Sequence, residues 1–174
     1  MMLQKNVILK KTGFTTVEVL VFVSILLLVF LIATGFIFWF NYSNSKAKAD
    51  REVLENSRSA METMLYEIKR AESIYAPTTT SNQLSLKTYD YLPSGEEASY
   101  IDFFLCGTRI CFKKESHNPV FLTSDSIEVT ILEFTYISTN EYDSVRIHLV
   151  ANYKNYSDPG VSIDFTSTSS LRSY

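Results

Sequence analysis

The sequence predicts an α+β fold, one long N-terminal helix packed on an antiparallel sheet. Three observations lead there. From Val19 to Phe40 the chain is apolar, interrupted only by Ser24, Thr34 and Gly35. Apolar residues then recur at helical spacing as far as Tyr75, with no proline between residues 14 and 76. Beyond Pro77 the pattern changes to period two, with turn residues between the runs. A helix followed by strands on short loops is the order of an α+β domain.

The first element is the apolar half of the helix, residues 14–40. At a rise of about 1.5 Å per residue the run from Val19 spans the roughly 30 Å hydrocarbon core of a bilayer. It ends in "FIFWFNY", which puts Trp39 and Tyr42 where an interfacial aromatic belt sits. A cleaved secretory signal would have an apolar stretch of about 7 to 15 residues ending in small side chains. This run is longer and ends in aromatics. The residues ahead of it, 1–13, carry Lys5, Lys10 and Lys11 and no acid. The net charge of −3 is therefore +3 in this leader and −6 beyond it. A basic start before an apolar run predicts a single-pass protein of the cytoplasmic membrane, N-terminus inside and C-terminal domain outside.

The second half of the helix, residues 41–76, is amphipathic. Leu54, Met61, Ile68 and Tyr75 repeat every seven residues, with Ser57, Met64 and Ala71 three further on and Leu65 beside them. Arg51, Glu52, Glu55, Arg58, Glu62, Lys69 and Arg70 occupy the other faces. The weak point is "NYSNS", residues 41–45, whose small polar side chains favour caps and turns. Pro77 is expected to close the helix.

Residues 77–174 are expected to form the β domain, with about five strands. "NQLSLKTYDYL" alternates imperfectly through Leu84, Leu86, Tyr89 and Tyr91. "SYIDFFLCGTRICFKK" reads as a hairpin turning at Gly107-Thr108. In "SIEVTILEFTYIS", Ile127, Val129 and Ile131 share one face before Leu132, Phe134 and Tyr136 take over, a step that predicts a bulge at 131/132. "SVRIHLVANY" alternates cleanly, Val145, Ile147, Leu149, Ala151 and Tyr153 inward. "SDPG", residues 157–160, turns into a last strand, "VSIDFTS". The amphipathic stripe is the natural cover for one sheet face.

Composition excludes several functions. At 46% hydrophobic and 20% charged the chain is not disordered, and its acidic bulk argues against strong nucleic-acid binding despite Lys113 and Lys114. Cys106 and Cys111 bracket the hairpin turn; outside the membrane such a pair either closes a small disulfide or stays as two half-buried thiols. The C-x₄-C spacing and two scattered histidines, His117 and His148, give no metal site. No glycine-rich phosphate loop, G-x-S-x-G or H-E-x-x-H is present, so neither enzymatic activity nor a cofactor is expected.

Glu18 stands at the head of the apolar run, in "KKTGFTTVEVL". An ionised carboxylate at mid-membrane costs roughly 2.5–3.5 kcal/mol, so such residues are usually functional and partnered. Gly13, Phe14, Thr15 and Glu18, behind a short basic leader, resemble the processing motif of type IV prepilins and type II secretion pseudopilins; Thr16 and Val17 depart mildly from it. The resemblance implies a pilin-like fold. It implies cleavage by a membrane prepilin peptidase between Gly13 and Phe14, N-methylation of Phe14, and a role for Glu18 in subunit assembly. It also implies partners: other pilins or pseudopilins through the helix, an inner-membrane assembly platform, and lipid. The segments "AESIYAP", "NQLSL", "YIDFFL", "FLTSDSIEVTILEFTY", "SVRIHLVA" and "SLR" resemble in order the J-type minor subunits, which prime filament growth. The alternative is a membrane-tethered binding or adhesin domain that never polymerises.

Overall fold

The computed structural model of the chain describes residues 13, 15–90, 92, 94–138, 143–154 and 161–171. Helix α1 runs from Thr16 to Arg70 and is followed, among the described residues, by eight strands. The chain divides into two units, Met1–Asn44 and Ser45–Tyr174. The architecture is α+β with antiparallel pairing throughout, as the sequence predicts, but the strands form two sheets instead of one.

The larger sheet has the order β1-β2-β3-β4-β5: Ser73–Ile74, Gln83–Thr88, Ser99–Cys106, Arg109–Lys114 and Val120–Phe121. The smaller sheet is β6-β7-β8: Ile127–Ser138, Asp143–Tyr153 and Ser162–Ser170. Strands β3 and β4 meet at the expected two-residue turn, where Cys106 pairs with Arg109. Gly107 takes φ +67° there, the left-handed value that the first position of a type II′ turn needs and that glycine supplies without steric cost.

In the second unit, the helix and both sheets share one core. Val53, Ala60, Met61, Met64 and Ile68 come from α1, Leu84, Leu86, Ile101, Phe103 and Ile110 from the larger sheet, and Leu132, Phe134, Val145, Ile147 and Leu149 from the smaller. Fully burying side chains of this size contributes about 1.5–3 kcal/mol each. The Phe103 and Phe112 rings stack at 5.0 Å. Polar contacts fix the helix as well: Ser124 N–H donates to Asn56 Oδ1 at 2.9 Å, and the Ser126 hydroxyl to Glu52.

Four sequence expectations are corrected. Leu54 is 44% exposed and lies off the buried stripe, whose members are Ala49, Val53, Ser57, Ala60, Met61, Met64, Glu67 and Ile68. The helix ends at Arg70, not at Pro77, because Ser73–Ile74 pairs with β2 and the Glu72 and Tyr75 amides bond to Lys87 and Ser85 carbonyls across it. The bulge in β6 falls between Val129 and Ile131, so Ile131 leaves the inner face and is 36% exposed. Tyr89 is exposed beyond the end of β2. Residues 41–45 are helical. Tyr91 and the expected turn at 157–160 lie outside the described residues.

Candidate functional site

The candidate site is the N-terminal end of α1. Gly13 is exposed and precedes the helix. A Cβ placed on it would meet nothing within 4 Å, so among the described residues no steric demand requires glycine there. Phe14, the other residue of the expected cleavage bond, lies outside the described residues, as do residues 1–12.

Thr15 caps the helix. Its Oγ1 accepts the Glu18 N–H at 3.3 Å, and its carbonyl accepts the Val19 N–H at 3.2 Å. Thr15-x-x-Glu18 is the capping-box pattern, in which the cap hydroxyl and the third-residue carboxylate serve each other's amides. Glu18 is also the acid of the first turn, where the positive end of the helix dipole favours a carboxylate. In the sequence Glu18 stands out for its charge and Thr15 only as part of the processing motif; the threonine-x-x-glutamate spacing is the signal for the cap.

Below the cap, α1 presents large apolar side chains on every face. All of the large apolar residues from Val17 to Phe40 are exposed. The hydroxyls in this stretch turn inward to the backbone: Ser24 donates to the Leu20 carbonyl at 2.8 Å and Thr34 to the Phe30 carbonyl at 2.6 Å. Neither presents an unmet polar group to a surrounding apolar medium. By length and composition α1 is a candidate membrane span. Trp39 packs near Phe36, centroids 6.0 Å apart, at the end of the run. Gly35 lies five residues before Phe40, toward the end of the run, with open space around it.

In the second unit, Cys106 and Cys111 form a disulfide across the β3–β4 hairpin, Cα atoms 5.8 Å apart. With so short a loop its entropic stabilisation lies at the low end of about 2–4 kcal/mol. His117 is exposed in the loop after β4. His148 stands on the outer face of β7, its Nε2 3.1 Å from Asp164 and Nδ1 3.8 Å from Glu133. Where the helix ends, Lys87 pairs with Glu72 at 2.8 Å and the Tyr89 hydroxyl bonds the same carboxylate at 2.5 Å. The Lys87 hydrogen bond first, and that of Tyr89 second, hold the Glu72 carboxyl below its ordinary value. Arg70 pairs with Asp90 at 2.6 Å. These groups tie β1 and β2 to the helix end and do not converge on a reacting centre. Comparison of the chain with protein-family models, curated proteins and solved structures gives no match.

Proposed function

We propose that the chain is a prepilin-like structural subunit, cut after Gly13, N-methylated at Phe14, and assembled through its N-terminal helix into a filament or its tip. The observation that carries this reading is Gly13, Phe14, Thr15 and Glu18 standing directly at the head of an exposed apolar helix. Gly13 supports it because the described residues leave room for a larger side chain there; a peptidase that reads glycine accounts for one.

The charge on Glu18 follows from the same chemistry. Cleavage would leave an α-amine of pKa about 8, cationic at neutral pH, at the positive end of a long helix dipole. Glu18, in the first turn, offsets that charge within one subunit or on its neighbour. Pairing the two makes their transfer from lipid to a packed helical core less costly. A cationic partner for Glu18 is then created by proteolysis. The positive-inside rule, applied to the basic leader, supports an N-terminus in the cytoplasm and a β domain outside.

A second reading has one observation in its favour. The Thr15 cap gives Glu18 a purely structural use, and a tethered binding domain would need no more. The two separate on charge, because glutamine serves a capping box as well as glutamate does. Intact mass and N-terminal sequencing of the protein from membranes containing active prepilin peptidase should find a chain beginning at Phe14 and heavier by one methyl group. A chain retaining Met1 would sink the proposal. Co-assembly with the filament should be lost in both Glu18→Gln and Glu18→Ala while membrane insertion persists. Retention in Glu18→Gln alone would reduce Glu18 to a cap.

A further inference from the structure

Between the two sheets, within the second unit, lies an open cleft of about 560 Å³. Its volume falls within the roughly 300–1,000 Å³ of ligand sites. Its floor is apolar, made by Ile74, Leu84, Phe134 and Val145, and its rim carries hydroxyls from Thr80, Ser81 and Tyr136. Among the described residues that line it, none is charged. The wall on the β1–β2 side is already ordered: the Thr79 hydroxyl donates to the Tyr75 carbonyl at 2.9 Å, and the Thr80 amide to the Gln83 carbonyl at 2.8 Å.

One side of this cleft is the β6 strand edge, part of which has no backbone partner among the described residues. Leu171 N–H bonds to the Asp143 carbonyl, so odd-numbered residues of β7 turn their backbone groups toward β8. Even-numbered β7 residues therefore face β6, where their partners are odd-numbered: Val150 with Ile131, His148 with Glu133, Arg146 with Thr135. The even-numbered residues of this part of β6 then point their N–H and C=O away from β7. The Phe134 amide confirms the parity, since it donates to the Ser81 carbonyl at 2.8 Å on the far side. One residue pair further on, that contact stops. The Phe134 carbonyl and both backbone groups of Tyr136 face the cleft with no backbone partner among the described residues. Tyr136 is half exposed, while Phe134 beside it is buried.

An edge offering two acceptors and a donor above an apolar, uncharged floor is the arrangement of strand-addition sites, in which backbone bonds hold an extended chain and a pocket reads alternate side chains. The geometry points to a peptide-binding site: a partner's extended segment adds to β6 at Phe134–Tyr136 and buries an uncharged apolar side chain on Phe134 and Val145. A charged side chain buried on that floor would lose its hydration with no opposite charge among the described lining residues. The nearest carboxylate, Asp143, is engaged by the Tyr136 hydroxyl at the rim. This site does not depend on processing at Gly13, and its test is separate from that of the filament.

The edge of β8 supplies an internal control. By the same parity Thr166 turns its backbone groups outward, but it lines no part of the cleft. Proline at an outward-facing edge position removes a free donor without breaking the ladder. The experiment selects a displayed library of random heptapeptides against the full chain in nanodiscs, then measures the enriched peptides by fluorescence anisotropy. Enriched peptides should carry uncharged apolar residues at alternate positions. Their affinity should fall at least tenfold in Ala76→Trp, which fills the cleft from an exposed rim position, and at least tenfold further in Tyr136→Pro than in Tyr136→Ala, which keeps the amide. Thr166→Pro should bind unchanged. No enrichment, enrichment of charged peptides, or affinity insensitive to Ala76→Trp would overturn the site. Loss in Thr166→Pro with binding kept in Tyr136→Pro would move strand addition to β8.

Discussion

The two halves of α1 use the same backbone to meet different surroundings. From Val17 to Phe40 the large apolar residues are exposed on all sides. From Ser45 onward the helix buries one stripe against the β domain and shows water a face of Arg51–Glu55 and Arg58–Glu62 pairs, at 2.9 and 2.8 Å. A stripe specifies a direction, and therefore a partner within the chain. An unstriped apolar surface specifies only a medium, whether lipid or other apolar helices. In the second half stability is written into named contacts; in the first it depends on where the chain resides.

That contrast predicts opposite responses to substitution. Met64 is fully buried, so Met64→Ala should cost about 2–5 kcal/mol of unfolding free energy, lost transfer plus cavity. Leu54→Ala, one side of the stripe, should cost under about 1 kcal/mol because Leu54 already faces solvent. Equal effects in chemical denaturation of the full chain would mean that the stripe is misplaced. In the first half truncation should matter little and charge a great deal. Leu27→Arg should cost insertion roughly 2.5–3.5 kcal/mol, read as a shift of protein from the membrane to the soluble fraction after fractionation. Unchanged membrane retention would break the comparison.

How far the sequence exposed this arrangement depends on the range of the forces involved. The apolar run, the helix-then-strand order and the clean alternation of β7 depend on local pattern, and they were legible. Leu54 was misread because a strict seven-residue repeat drifts about 20° per heptad against a straight helix. Two heptads before Ile68, that drift is enough to carry a side chain off the stripe. The end of α1 was misread because Ile74 and Tyr75 continue the spacing while pairing with residues beyond Thr80. Strands β1 and β5 are two residues long and have no period to detect. The cleft beside Tyr136 arises where two sheets from distant parts of the chain come together, and no local pattern encodes it. At the helix head the converse holds: charge, glycine and cap all lie within six residues, Gly13 to Glu18, and could be read directly.

Gly35 sharpens the contrast at a smaller scale. A helix gains about 0.8–1 kcal/mol when alanine replaces glycine, and a Cβ here would meet nothing within 4 Å. Gly35→Ala should therefore slow hydrogen exchange of the flanking amides in micelles about fivefold. Unchanged insertion with impaired assembly would show that the position serves close helix packing, where small residues let backbones approach.

The smallest effect belongs to the polar contact beside the amphipathic half. Glu72 is held below its ordinary value by the Lys87 hydrogen bond first and the Tyr89 hydroxyl second. Lys87 is raised, chiefly by the same bond from Glu72. A carboxyl lowered on folding binds fewer protons in the native state than in the unfolded one. Its contribution is complete above the unfolded value, about pH 4.3, and is lost as pH falls through the lower folded value. The lysine contributes below about pH 10.4 and loses its part as pH rises through its raised folded value. Between those limits the pair adds a constant amount, and stability there should not vary with pH on its account. Both side chains are about one-third exposed, so solvent screens the pair and the acid limb should be shallow. Thermal unfolding of Glu72→Gln against the parent should converge as pH falls below 4 and diverge to a plateau above 5. A gap that grew toward acid would reverse the sign and place the cost of folding on the carboxylate. No comparable pH dependence should follow from any change between Val19 and Phe40, where no titratable group stands.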